Sequence, residues 1–203
     1  MPLVKRTAPP PTESEPEPSL ESLLRDLTCA DIHGRRVAAR GLGAHPDAAE
    51  QLGAALAHES DESVREAIFT ALIRIGTFAA AAGLFPLLAG EDVSLRNGAI
   101  EALKTMPAAI TAQIEELLAG PPDVRIFAVE ILGALAHPGS AARLTRVLEE
   151  ETHLNVCAAA VDALVECGDA SAAAALRALV ERFPDEPYLD FSVRTALARI
   201  ANA

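Results

Sequence analysis

Two side chains able to share a metal ion stand four residues apart: His153 and Cys157 would face the same side of a helix and could hold half of a tetrahedral zinc site. No second pair with ligand spacing accompanies them, so no metal is expected, and Cys157 reads as a small buried hydrophobe. A single His58-Glu59 dipeptide is likewise too little for an iron centre. The chain holds no Gly-x-Ser-x-Gly elbow, phosphate-binding glycine loop, dinucleotide fingerprint or paired-carboxylate signature. Cys29, Cys157 and Cys167 are odd in number and lack Cys-x-x-Cys spacing, which suits reduced thiols in the cytoplasm. The expectation is a protein that is not an enzyme and carries no cofactor.

Charge narrows the partners. A net charge of −12 with only two lysines, Lys5 and Lys104, argues against nucleic acid and against an anionic membrane surface, both of which are bound through clustered cations. The longest uncharged run, 75–90, is broken by Gly76, Gly83 and Pro86 and is too short to span a bilayer. No apolar stretch follows Lys5 and Arg6, so no secretory signal is expected.

The elements that must position any site follow from periodicity. Residues 1–18 hold six of the 14 prolines and the alternating Glu13, Glu15 and Glu17, a composition expected of a disordered tail. From residue 19 onward a pattern recurs, led by Asp61-Glu-Ser-Val64-Arg65, Asp92-Val-Ser-Leu95-Arg96 and Asp190-Phe-Ser-Val193-Arg194. The same register fits Gly34-Arg35, Val124-Arg125 and Val156-Cys157, giving anchors at 34, 64, 95, 124, 156 and 193. Small or apolar residues at offsets 4, 7, 8 and 11 share one helical face, so each anchor begins an amphipathic helix. An Asp three residues before the anchor is placed to cap that helix. A partner helix precedes each anchor, marked by Leu52 and Leu56, Leu84 and Leu88, Ile114 and Leu118, Leu144 and Leu148, or Leu176 and Val180.

This Asp-x-x-Val-Arg-x-x-Ala-x-x-Ala-Leu pattern, repeating about every 30 residues over 19–201, resembles HEAT repeats, particularly the short bacterial type named after phycobilisome lyase subunits. The resemblance implies an all-α solenoid of about six helix pairs, some twelve helices, wound as a right-handed superhelix over 19–203. It also implies that Arg65, Arg96 and Arg125 pair with the Asp of an adjacent repeat. Departures stand at Gly34, Pro121 and Cys157. Of the enzymes in this class, the hydroxylase type needs several His-Glu dipeptides and the glycosylase type a basic groove; neither is present. The bilin-lyase type carries no motif that maps onto residues here, and an accessory subunit of a lyase or another cofactor-handling enzyme stays open as the alternative.

The main expectation is a module that binds another protein through the concave face formed by the second helices. Offsets 2, 6, 9 and 10 from each anchor lie opposite the buried arc. They place Arg36, Arg40, Glu66, Thr70, Arg74, Asn97, Glu101, Lys104, Glu130, Asp162, Glu166, Thr195 and Arg199 on that face, a charge pattern suited to a basic or mixed-charge helix or peptide. Phe183, Tyr188 and Phe191 gather at the C-terminal end, where they are expected to plug the last repeat; the other reading is an exposed contact patch. In the tail, Leu3, Val4, Lys5 and Arg6 form a candidate docking motif.

Overall fold

The short aliphatic side chains that dominate the composition set the packing, because helices faced with Ala and Leu approach closely. The computed structural model describes residues 18–202 apart from positions 30, 112, 136 and 138; the tail motif Leu3, Val4, Lys5 and Arg6 lies outside the described residues. All regular elements among the described residues are helical. One layer is made by α1 (Leu20–Asp26), α3 (Ala49–Leu56), α5 (Phe78–Ala82) with α6 (Phe85–Leu88), α8 (Pro107–Thr111) with α9 (Ile114–Leu118), α11 (Ser140–Glu150) and α13 (Ala173–Arg182). The second layer is α2 (Ile32–Leu42), α4 (Glu62–Ile75), α7 (Val93–Lys104), α10 (Pro122–Ala134), α12 (Leu154–Cys167) and α14 (Pro187–Ile200), each packed beside the next. The result is an α-solenoid of six helix pairs.

Two first-layer helices are split where one helix each was expected. Pro86 has no amide to bond back into α5, and its ring would meet the carbonyl one turn earlier, so α6 starts afresh. At the second split the chain turns around Gln113, whose buried side chain donates to the Phe78 carbonyl of the preceding repeat at 3.2 Å.

The repeat register is the core. Anchors Val64, Leu95, Val124, Val156 and Val193 are buried, as are Leu42, Leu72, Leu103, Leu132 and Leu164 eight residues after an anchor. The small residues set how near the second helices come. A Cβ on Gly133 of α10 would stand 2.6 Å from the Ala163 Cβ of α12, so only glycine permits this approach.

Capping follows the Asp pattern in the first three repeats. The carboxylate of Asp31 accepts from Gly34 N at 2.7 Å, that of Asp61 from Ser63 N at 3.0 Å, and that of Asp92 from Leu95 N at 3.0 Å. Pro121 and His153 begin the fourth and fifth second-layer helices without a side-chain cap. Asp190 corrects the expectation for the sixth. It lies within the first turn of α14 rather than ahead of it, because Pro187 is pre-organised for a helical start one turn earlier, and its carboxylate pairs with Arg194 of the same helix.

Candidate functional site

Along one edge of the stack the anchor-following arginines tie each repeat together. Arg65 donates to the Glu59 carbonyl at 2.6 Å, Arg96 to that of Gly90 at 2.8 Å and Arg125 to that of Gly120 at 2.8 Å. Each guanidinium thus occupies the carbonyls that close the turn before its own helix. Three also bridge to the next repeat: Arg35 to Glu59 at 2.8 Å, Arg65 to Asp92 at 3.1 Å and Arg125 to Glu151 at 2.7 Å. The acceptor is Glu in two of the three and Asp in one, where the resemblance implied Asp. Hydrogen bonding from Arg35 holds the Glu59 pKa below its ordinary value. For Glu151, burial pushes the pKa up, but Arg125 and the amides of His153 and Thr152 outweigh it and the net shift is downward.

Beside Arg194, which pairs within its own helix, two positions depart from this ladder. Among the described residues Arg96 has no carboxylate partner; its guanidinium lies 5.6 Å from the centroid of the Phe127 ring instead. Cys157, in the fifth arginine slot, is fully buried, and burial pushes its thiol pKa up. The missing guanidinium arrives from the following helix: Arg182 donates to the Leu148 carbonyl at 2.8 Å and approaches the Cys157 sulfur at 3.6 Å. Cys157 therefore sits beside a cation. No group of three or more metal-ligating side chains occurs among the described residues.

The second-layer face carries the other candidates. Arg40, Glu66, Thr70, Arg74, Asn97, Glu101, Glu130, Asp162, Glu166, Thr195 and Arg199 are exposed, and Arg36 is half-buried. Lys104 is not a free cation. It joins Glu101 at 2.9 Å to Glu130 at 2.6 Å across the α7 and α10 interface, and although burial opposes its charge, the two carboxylates raise its pKa overall. Glu166 lies 3.5 Å from Arg199. Asp162 has no ion-pair partner among the described residues, and desolvation pushes its pKa up.

Two clefts open on this face. Between α4 and α7 a cleft of about 430 Å³ is lined by the apolar Phe69, Ile73 and Leu95 and by the charged Glu62, Arg65, Glu66 and Glu101. Gly98 leaves room for the Phe69 ring, which a Cβ there would meet at 2.5 Å. Ile73 is 38% exposed there. Between α10 and α12 a cleft of about 600 Å³ is lined by Ile126, Gly133, Ala134 and Ala159 and by the charged Lys104, Glu130, Asp162 and Glu166.

The family model described as HEAT repeats matches residues 18–104 and 110–199. The chain belongs to the HEAT-repeat family. No curated protein matches it. Solved structures similar to it include human deoxyhypusine hydroxylase in complex with glycerol, at 18% identity over 91% of this chain and 85% of that one, with a TM-score of 0.47. An archaeal HEAT-like repeats protein from Thermococcus onnurineus aligns at 17% identity over 90% and 87% of the two chains with a TM-score of 0.44. The complex of CpcE and CpcF of phycocyanin lyase from Nostoc sp. aligns at 20% identity over 98% and 100% with a TM-score of 0.40.

The last HEAT unit corrects the plug expected of its three aromatic residues. Phe183 is half-buried against the core, with Arg182 5.3 Å from its ring centroid, but Tyr188 is 65% and Phe191 68% exposed. Leu189, Val193 and Ala196 close the end instead. Starting at Pro187, α14 turns Leu189, Val193 and Ala196 inward and leaves Tyr188 and Phe191 on its outer face. His58 is exposed and Glu59 is committed to Arg35, so that dipeptide serves the ladder. Sequence reasoning missed Phe69 and Ile73, which line the cleft between α4 and α7; a large ring five residues after the anchor Val64, facing Gly98, was the available signal. No helix among the described residues is long and apolar enough to cross a membrane.

Proposed function

We propose that this HEAT-repeat chain is a non-catalytic scaffold in the cytoplasm that binds another protein through the face of its second helices. The carrying observation is the cleft between α4 and α7, where exposed apolar surface at Ile73 and Phe69 lies among the carboxylates of Glu62 and Glu66, with Glu101 held by Lys104 and the lining Arg65 held by Asp92. Apolar floor with a charged rim is how a groove gains affinity from burial and orientation from charge. The complement is a helix or peptide with two or three apolar side chains flanked by Lys or Arg. Glu62 and Glu66 have no ion-pair partner among the described residues, so a ligand cation does not have to displace an internal one.

The test is capture from an extract of the native cell, with bound proteins identified by mass spectrometry and their affinity measured at two salt concentrations. A Glu66→Lys/Ile73→Glu chain is expected to lose the captured protein. The same protein is expected to stay bound when Glu116, exposed on the opposite layer, is changed to Lys. Binding that survives the first variant and fails with the second would move the site to the first layer.

A further inference from the structure

The exposed aromatic residues of α14 lie on the side by which a second-layer helix meets the helix after it. Tyr188, Phe191, Thr195 and Ala198 follow one another at intervals of 3, 4 and 3 residues, which puts them on one face of the helix. Counted from the anchor Val193 they hold offsets −5, −2, 2 and 5. Offset 5 in α4 is Phe69, which reaches Gly98 of α7; offset 9 in α10, on the same side of the helix, is Gly133, which meets Ala163 of α12. All four residues of the α14 face are exposed.

We propose that this face pairs with its own copy: α14 packs antiparallel against α14 of a second molecule, Tyr188 and Phe191 of each lying over Ala198 and Thr195 of the other. The face is large in its N-terminal half and small in its C-terminal half. Only the antiparallel arrangement therefore sets ring over small side chain along its whole length, as Phe69 lies over Gly98 within the chain. The pairs 188 with 198 and 191 with 195 both centre on residue 193, so a single two-fold axis generates both contacts. A parallel pairing would stack ring on ring and leave small residues facing across a gap.

Head-to-tail stacking fits worse. In α2 the offset of Gly98, where a ring would have to be received, is held by Val37, and one turn on a Cβ at Gly41 would already meet Leu23 of α1 at 2.8 Å. Asp190 and Arg194, beside the α14 face, neutralise each other, so the two-fold contact brings no unpaired charge into the interface.

Area sets the strength. Tyr188 keeps 65% and Phe191 68% of its surface in solvent, so the four rings of a symmetric pair bring roughly 500 Å². With an equal area from the residues beneath them the contact buries roughly 1,000 Å² in total, the low end for a specific interface, and a Kd of about 100 µM follows. Because α10 and α12 stand between α14 and the cleft of α4 and α7, the dimer leaves two such clefts open.

The test is analytical ultracentrifugation of the full chain. Mass should rise from that of one chain toward that of two between about 10 and 500 µM and stop there, because a two-fold contact is closed. Added salt should strengthen the dimer, since it screens the repulsion between two chains of net charge −12. The Tyr188→Ser/Phe191→Ser chain should stay monomeric at every concentration. Ala198→Leu adds an apolar side chain at an exposed position, where it would meet the ring of Tyr188 from the other copy; it should weaken the dimer about tenfold while the thermal midpoint of the dilute chain stays unchanged.

A chain that remains monomeric throughout, a mass that climbs past two copies, or self-association that survives the serine variant would each overturn the inference. So would a dimer strengthened by Ala198→Leu, which would make the face adhesive without being shaped for its own copy, or a dimer dissolved by salt.

Discussion

The first half of the solenoid and its last two repeats meet the same structural demand with different residues. In the first three repeats an Asp caps each second helix, and a ladder arginine fills the carbonyls of the preceding turn. In the fifth repeat there is no side-chain cap and no arginine after the anchor, yet the same kind of carbonyl is filled by Arg182 reaching back from the next helix. What is required at this edge is a guanidinium near the end of each first helix, because buried carbonyls left without donors are costly. The position from which it comes is free to change.

The largest effect should come from the carboxylate-bridged interfaces. Arg125→Ala removes a two-point pair to Glu151 and the bond to the Gly120 carbonyl. Because the side chain of Glu151 is only 9% exposed, the variant leaves a nearly buried charge unpaired, and unfolding free energy should fall by about 2 kcal/mol. Arg96→Ala, which loses one carbonyl bond and a ring contact, should cost about 1 kcal/mol. Urea unfolding followed by circular dichroism measures both; equal losses would mean that the carboxylates add nothing to the ladder.

The borrowed arginine comes next. Arg182→Ala should lower stability by about 1 kcal/mol, while Arg177→Ala on the same helix, whose exposed side chain reaches only a carbonyl of its own helix, should be within about 0.5 kcal/mol of neutral. If the two variants melt together, Arg182 is not standing in for the arginine missing at Cys157.

Pro121→Asp sharpens the comparison from the other side. It would give α10 the cap that α2, α4 and α7 possess and bring a carboxylate toward Arg96, as Asp92 does for Arg65. A gain of about 1 kcal/mol is expected. A loss would show that the rigid Pro121-Pro122 start contributes more than a cap.

How much of this was legible can be judged from these same residues. Hydrophobic offsets fixed the second helices, because one aliphatic position and a leucine eight later must both be buried whatever the neighbours do. Asp31, Asp61 and Asp92 could be read as caps because a cap acts over three residues. Arg182 could not, since its acceptor lies 34 positions back and nothing local distinguishes it from Arg177. Glu101, Glu130 and Asp162 share offset 6 in three successive second helices, but Glu101 and Glu130 converge on Lys104, so reversing all three would crowd cations in one place and cost stability as well as binding. The splitting of two first-layer helices follows from Pro86 and from Gln113, but only the proline announces itself in one dimension.

Acid should weaken the ladder more gently. Both Glu59 and Glu151 have folded-state pKa values below the ordinary glutamate value. A depressed carboxylate stabilises the fold above its unfolded pKa, and that contribution is lost as pH falls through the folded value. Stability should therefore be level above about pH 5 and decline below about pH 4.5. The Glu151→Gln chain should begin less stable and decline over a shallower range; a parallel decline would remove the pair from the account of acid unfolding.

The smallest effect is predicted where the sequence suggested a plug. Two aromatic residues that close the end of a solenoid would cost about 3–5 kcal/mol each on truncation, through lost burial and the cavity left behind. Tyr188 and Phe191 instead keep about two thirds of their surface in solvent, and Leu189, Val193 and Ala196 make the contacts beneath them. The Tyr188→Ser/Phe191→Ser chain should unfold within about 0.5 kcal/mol of the unaltered protein, as exposed substitutions do. Phe183→Ala, which strips a half-buried ring from the core and from Arg182, should cost about 2 kcal/mol. Both chains are read by the same urea titration, so the contrast is internal. Loss of more than about 1 kcal/mol in the double variant would mean that α14 turns its aromatic face inward in solution and that the last repeat is capped as its composition first suggested.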